Sequence, residues 1–232
     1  MKKTAYLGAA AIAAFAAALA TPAAAQDAGT IEVKVLGTAV LPNGEVDSIE
    51  GGTLATTVEG LGVQTEASDN FVPTVAVEYF FTPNVSVETI CCVTAHHVDA
   101  TAPAALAGAN LVDKIHIIPA TFTLKYHLGA AGGIRPYVGA GPTYFLFLKD
   151  EVGAGATAAL GATDVNIDDT FGLALQAGID VPLNEAFLLT LDAKRYFVKP
   201  NAHFYDAAGV EVLETQHKLD PWVLSAGVGF RF

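Results

Sequence analysis

Ten charged side chains alternate with apolar residues in β-rich segments, where charges are uncommon. Five are acidic and five are basic, although the whole chain has 12 basic and 24 acidic residues. Buried charges are tolerated when they are paired and hydrogen-bonded, so this balance predicts ion pairs that fill a narrow interior. Exposure at strand ends would explain Glu32 and Arg231 but not Asp192. The predicted charge plug consists of Glu32, Lys34, Glu78, Glu88, Lys125, Arg135, Asp180, Asp192, Lys194 and Arg231.

The other side chains that could do chemistry form no recognisable active site. His96 and His97 are adjacent and would point to opposite faces of a strand, unlike a pair of metal ligands. Cys91 and Cys92 are adjacent too, and we interpret them as two small apolar residues without a disulfide. None of the four serines has an evident histidine and aspartate partner. The sequence therefore predicts a protein that is not an enzyme and has no metal and no cofactor.

Residues 1–25 are predicted to be a cleaved signal peptide. Lys2 and Lys3 precede an Ala-rich apolar run at 5–19, and three alanines at 23–25 provide a cleavage site before Gln26. The net charge of −12 gives no electrostatic footprint for nucleic acid. After the signal, no apolar run approaches the ~20 residues of a membrane-spanning helix. Residues 26–232 are therefore one exported domain, either a soluble β-protein or a transmembrane barrel.

Eight runs of β-type alternation follow the signal, and their connections alternate between long and short. Short connections such as Thr82-Pro83-Asn84 carry turn signals, whereas the long ones are polar and rich in glycine. Transmembrane barrels have this asymmetry, with short periplasmic turns and longer extracellular loops. The predicted strands are 31–41, 71–81, 85–96, 113–128, 134–148, 170–181, 187–198 and 217–232.

The two faces of these strands decide between the two kinds of barrel. In the last strand, apolar residues occupy every second position from Trp222 to the terminal Phe232. This ending resembles the signature by which the barrel-assembly machinery recognises its clients. A soluble barrel would have to bury Asp180, Asp192 and Lys194 as its core, at a high desolvation cost. We therefore expect an all-β, eight-stranded antiparallel transmembrane barrel in the bacterial outer membrane, with its apolar face toward lipid.

The interior face changes character along the barrel axis. Most of the plug charges fall in the predicted periplasmic half, and the outer half of the same face is apolar. An apolar cavity open to the outside suits a small hydrophobic ligand, and ordinary packing that stabilises the barrel is the alternative. The predicted lining of this cavity is Ile90, Ile115, Ile117, Pro119, Phe145, Phe147 and Val223, with Cys92 beside them.

Several segments together resemble the OmpW family of outer-membrane proteins. They are 72–82, 118–127, 135–144, 171–180, 191–196 and 227–232, and the most specific begins Arg135-Pro136-Tyr137-Val138-Gly139-Ala140-Gly141. The resemblance implies an eight-stranded barrel with a hydrophobic channel that passes small apolar molecules and releases them through a lateral opening into the bilayer. Family members often carry a proline pair where this chain has Pro119-Ala120. Because proline cannot donate to a β-ladder, Pro119 marks either a weak point in the wall or a tolerated bulge.

Three functions remain open. The first is a channel for diffusion of small hydrophobic molecules without a cofactor. The second is a structural or adhesive barrel of the OmpX or OmpA type that acts through its loops, and the third is a membrane-embedded lipid-modifying enzyme. The expected partners are outer-membrane lipid, small hydrophobic solutes and, through Phe232, the barrel-assembly machinery.

Overall fold

The long apolar alternations of the sequence form strands that close into a barrel. The computed structural model describes residues 27–128 and 133–232, so the predicted signal peptide lies outside the described residues. The elements are β1 Ile31–Leu41, β2 Glu45–Gly51, α1 Ala55–Leu61, β3 Gln64–Ala67, β4 Asn70–Thr82, β5 Val85–Cys91, β6 Thr94–Ala102, β7 Asn110–His127, β8 Arg135–Val152, α2 Ala154–Leu160, β9 Asp164–Ile167, β10 Thr170–Pro182, β11 Phe187–Phe197, β12 Asn201–Tyr205, β13 Glu211–Lys218 and β14 Trp222–Arg231.

The barrel wall is a continuous antiparallel ring of eight strand positions. Its order is β1-β4-β5-β7-β8-β10-β11-β14, and β6 takes over the position of β5 at one end. The first and last strands close the ring through pairs that run from Glu32↔Arg231 to Leu41↔Trp222. Closure gives the strands partners on both sides, as a barrel in lipid requires. The predicted fold class is confirmed.

Alternation of side chains across the wall is also as predicted. Phe71 is 73% exposed on the outer surface, whereas Asp192 is 6% exposed inside the barrel. The outward face carries aromatic residues near both ends, as transmembrane barrels do at the two membrane interfaces. They are Tyr79, Phe81, Tyr126 and Phe187 toward one end, and Phe71, Phe171, Phe197 and Trp222 toward the other.

The long connections contain more structure than the sequence analysis predicted. Residues 199–216, predicted as a loop, contain β12 and most of β13, which join β2 and β9 in a four-stranded sheet outside the barrel. The last barrel strand begins at Trp222 instead of 217 because Asp220 has a positive φ of 29° and Pro221 has no N–H for the ladder. The predicted strand 85–96 is divided into β5 and β6.

Two strands extend beyond the predicted outer boundary of the barrel. β7 and β8 have 18 residues each, and their ladder continues out to Val112↔Val152. Within the described part of the chain, no helix is long and apolar enough to cross a membrane. We call the end of the barrel with the long connections the upper end, and the end with the short turns the lower end.

Candidate functional site

The charged residues of the predicted plug are all buried inside the barrel. The most exposed of the ten side chains, that of Arg231, is 8% exposed. Glu88 is at the centre, because its carboxylate is 3.0 Å from Lys125, 3.0 Å from Lys194 and 3.2 Å from Lys34. One carboxylate therefore accepts hydrogen bonds from three ammonium groups that project from different strands.

A second carboxylate, Glu78, shares two of these lysines. Its Oε2 is 2.5 Å from Lys34 Nζ and 2.7 Å from Lys125 Nζ. At the edges of the plug, Lys194 binds Asp192 at 2.7 Å and Arg231 binds Glu32 at 2.9 Å. The other two members are less closely paired: Asp180 lies 3.8 Å from Lys34, and Arg135 donates to the Pro83 carbonyl.

Three further residues that the sequence analysis left out of the plug complete the network. Gln176 donates to Glu88 at 2.8 Å and to Asp192 at 2.6 Å. The Tyr137 hydroxyl donates to Asp192 at 2.7 Å, and the Lys125 ammonium lies 3.7 Å from the centre of the tyrosine ring. A Cβ at Gly178 would lie 2.3 Å from the Tyr137 hydroxyl oxygen, so this glycine leaves room for the ring. The third, His127, contacts Glu78 at 2.9 Å.

Two apolar cavities lie above the plug. The upper cavity has a volume of about 360 Å³ and is enclosed by barrel strands together with the elements of the long connections. The lower cavity has about 20 Å³, which is room for one water-sized group. Phe145 and Tyr196 line the lower cavity with their ring centres 5.4 Å apart. Below them the plug begins, since Lys194 precedes Tyr196 by two residues on β11.

Every residue predicted to line a channel lies against one of these cavities. Ile115, Ile117 and Phe147 line the upper cavity. The lower cavity is lined by Ile90, Ile117, Pro119, Phe145 and Val223, so Ile117 contacts both. Ligand binding by these residues stays a prediction.

The sequence analysis did not identify the part of the upper cavity that lies outside the barrel. Its lining includes Val58 of α1, Leu160 of α2, and Phe204 and Leu213 of the outer sheet. One signal was available in the sequence. Leu54, Val58 and Leu61 have the i, i+4, i+7 spacing of one helical face, which indicates a short amphipathic helix within a predicted loop.

A break in the wall adjoins the lower cavity, and we call it the seam. On one side of it, β3 pairs with β6 as far as Ala67↔Val98. On the other, β4 pairs with β5 as far as Val75↔Cys91. Residues 68–74 and 92–97 between these pairs form no ladder with each other among the described residues. Isolated bonds bridge the upper part of the seam, where Ser68 N–H donates to the His97 carbonyl at 3.0 Å and the Asn70 side chain donates to the Ala95 carbonyl at 2.6 Å.

Pro119 lies opposite the same interruption, on the neighbouring strand. The β5–β7 ladder ends at Ile90↔Thr121, and the β6–β7 ladder resumes at Thr94↔Ile117. On its other edge, Pro119 pairs with Phe145 in a continuous β7–β8 ladder. The residue without an N–H therefore occupies the edge at which no ladder partner is present.

Comparison with known proteins identifies the family. The model of the OmpW family matches residues 27–232. The chain belongs to the OmpW family. Outer membrane protein W of Vibrio cholerae is 28% identical over 224 residues, covering 95% of this chain and 97% of that protein. An uncharacterized outer-membrane protein, y4mB of Sinorhizobium fredii, is 31% identical over 203 residues, 87% of this chain and 79% of that one.

Solved structures show the same fold. The crystal structure of the outer membrane protein OprG from Pseudomonas aeruginosa superposes with a TM-score of 0.77 at 24% identity, covering 91% of this chain and 99% of that one. The outer membrane protein AlkL, determined in lipid bilayers, gives a TM-score of 0.68 at 21% identity over 91% and 94% of the two chains. The protein is therefore an OmpW-family barrel of the bacterial outer membrane, and its outward apolar face contacts membrane lipid.

The pKa values of two histidines of the outer sheet are shifted in opposite directions by their surroundings. His217 lines the upper cavity, and burial lowers its pKa below the usual 6.5 although Gly44 offers a hydrogen bond. For His203, partial burial would lower the pKa, but hydrogen bonds to Glu211 and Asp168 outweigh burial and raise it above 6.5. Near neutral pH the wall of the upper cavity in this OmpW-family protein therefore carries an uncharged imidazole.

The raised pKa of His203 predicts a pH-dependent outer sheet. A folded-state pKa above the unfolded value stabilises the sheet fully below about pH 6.5. This stabilisation is lost as the pH rises through the folded pKa. Amide hydrogen exchange of β12 and β13 should therefore be slower at pH 6 than at pH 8 after correction for the intrinsic rate. A His203→Gln variant should lose this difference, and a difference that persists in it would contradict the assignment.

Proposed function

We propose that this protein is a channel by which small apolar molecules cross the outer membrane and leave sideways into the bilayer. The observation that carries the proposal is the position of the seam. Cys92 and Thr94, which lie on one side of the seam, also line the lower cavity. At the seam, a solute in the cavities would therefore be separated from the hydrocarbon of the membrane only by a part of the wall whose β-ladder is interrupted.

The plug supports an exit through the wall rather than along the axis. An apolar molecule that moved down the axis would have to separate Lys34, Lys125 and Lys194 from Glu88, leaving buried charges unpaired. Leaving through the seam requires that one backbone hydrogen bond, from Ser68 N–H to the His97 carbonyl, and a few side-chain contacts open. Pro119 lies opposite the same interruption and fits this route. It has no N–H to donate, and at this edge there is no ladder partner that would need one.

Charging the wall between the two cavities should block the channel. Ile117→Asp would place a carboxyl group where both cavities meet, and an apolar solute would have to pass a group that retains water. We expect uptake of an apolar solute such as octane to fall about tenfold, corresponding to about 1.4 kcal/mol at this position. The measurement is uptake of radiolabelled octane by Gram-negative cells that lack relatives of this protein and express the variant.

The control is Ile117→Leu, which keeps the side chain apolar and of equal volume. It should take up octane at the wild-type rate. If the Ile117→Asp variant takes up octane at the wild-type rate, and its heat-dependent gel mobility shows that the barrel is folded, then Ile117 only packs against its neighbours and does not line a channel. Uptake no faster than in cells without the protein would favour the second function, a structural or adhesive barrel that acts through its outer elements.

A further inference from the structure

Two polar side chains that line the lower cavity each have one polar atom without a hydrogen-bond partner among the described residues. Thr94 and His96 both line it, and both are almost completely buried. They are two residues apart on β6, so their side chains lie on the same face of the strand. The Thr94 hydroxyl has no hydrogen-bond partner among the described residues. Its oxygen is not among the fully enclosed unpartnered atoms, so it remains accessible to a group placed in the cavity.

The tautomer of His96 is determined by its other contact. Its Nδ1 lies 2.5 Å from the carbonyl oxygen of Ser68. A carbonyl can only accept, so Nδ1 carries the proton and donates. In the neutral imidazole Nε2 is then an acceptor, and it too has no partner in the described part of the chain. The lower cavity therefore offers one acceptor at His96 and, at Thr94, a hydroxyl that can donate.

We propose that the channel selects apolar molecules that end in a single hydroxyl group, such as medium-chain alcohols. This inference rests on the proposed channel function and names its substrate class. An alcohol both donates and accepts one hydrogen bond, so its O–H would donate to His96 Nε2 while its oxygen accepts from Thr94. The hydroxyl fits the room for one water-sized group in the lower cavity. The alkyl chain occupies the apolar upper cavity, whose volume is about 360 Å³.

Other polar end groups suit these two side chains less well. A carboxylate has no proton to donate, so its oxygens would face the lone pair of His96 Nε2. An ammonium group would be a buried charge, and no carboxylate lines the lower cavity to compensate for it. A plain alkane fits the apolar walls but leaves both polar groups without a partner, which costs affinity relative to the alcohol.

Thr94→Val tests the inference with little risk to folding. Valine has the shape and strand preference of threonine, and the hydroxyl that it replaces binds no described protein atom. We expect protein-dependent uptake of 1-octanol to fall about fivefold, the value of about one buried hydrogen bond. The ratio of 1-octanol to octane uptake should therefore fall by about the same factor. The assay uses radiolabelled 1-octanol and octane in cells that lack relatives of this protein.

A matched control is available elsewhere in the barrel. Thr190 is also buried, and its hydroxyl also has no hydrogen-bond partner, but it lies on β11 away from both cavities. Thr190→Val should leave the ratio of octanol to octane uptake unchanged. A Thr94→Val variant whose ratio equals that of wild type would overturn the selectivity, provided octane uptake still depends on the protein. If neither probe depends on the protein, the channel proposal itself fails.

A second measurement does not depend on transport. In a lipid nanodisc sample, the nitrogen resonance of His96 Nε2 should move upfield when 1-octanol is added, because this atom accepts a new hydrogen bond. Octane at the same concentration should leave the resonance in place. Equal responses to the two compounds, or none to 1-octanol at a concentration that saturates uptake, would contradict binding at His96.

Discussion

Replacing Glu88 with glutamine should lower the free energy of unfolding by about 3–5 kcal/mol, the usual cost of removing one partner from a buried ion pair. The amide cannot compensate the charges of Lys34, Lys125 and Lys194, which all lie within 3.2 Å of the native carboxylate. Two of these lysines retain Glu78, and Lys194 retains Asp192. The plug as a whole, however, gains an uncompensated positive charge. Urea titration of the protein reconstituted in lipid vesicles would measure the loss.

Two further variants separate charge balance from the mere change of side chain. Glu185→Gln makes the same substitution at an exposed position in the lower turn, and it should leave the midpoint of urea unfolding unchanged. Adding Lys194→Met to Glu88→Gln removes one of the three lysine charges around this position and rebalances the plug, so it should restore part of the stability. A Glu88→Gln variant that is as stable as the Glu185 control would show that the plug does not stabilise the barrel through its ion pairs.

The second large effect is expected when the seam is closed covalently. The β4–β5 ladder pairs Ala76↔Ile90 and Val75↔Cys91, so the next position along it places Thr74 opposite Cys92. Facing residues of neighbouring antiparallel strands are within the distance that a disulfide spans. Oxidised Thr74→Cys should therefore reduce uptake of apolar solutes to the level of cells without the protein. Reduction with dithiothreitol should restore uptake.

The other native cysteine, Cys91, provides a control for this crosslink. Val75→Cys faces Cys91 within the existing ladder, where a disulfide adds no new closure of the wall. Its oxidised form should take up solute at the wild-type rate. Full uptake by fully oxidised Thr74→Cys would rule out an exit through the seam, whatever the behaviour of the control.

The alternation of side chains between the two faces of each strand made the barrel predictable from the sequence. Alternation fixes which residues share a face, and hydrocarbon outside the barrel requires the bulky apolar face to point outward. Asp192 and Lys194 could therefore be assigned to the interior before any contact was known. Equal numbers of acids and bases also indicated pairing. Which oxygen meets which ammonium depends on register across several strands, so the central position of Glu88 had no local signal in the sequence.

The elements beyond the barrel were harder to predict for a different reason. β12 and β13 are short, and their side chains pack on one another and on α1 and α2 rather than on the barrel wall alone. Strand pattern is weak in segments of four to eight residues with polar neighbours. The division of the strand 85–96 was also missed, because the stretch around Cys92 and Val93 keeps the composition of a strand although its partners stop on both sides.

The great length of β7 and β8 determines the level at which a solute would first meet the protein. Strands of 18 residues at about 3.3 Å per residue and a tilt of about 45° rise roughly 40 Å, against an apolar band of about 25 Å. The upper ends of these two strands therefore lie above the lipid headgroups, among the sugars that cover a Gram-negative cell. These sugars repel oily compounds, so the channel function proposed above requires the protruding strands to carry such compounds past that hydrated coat.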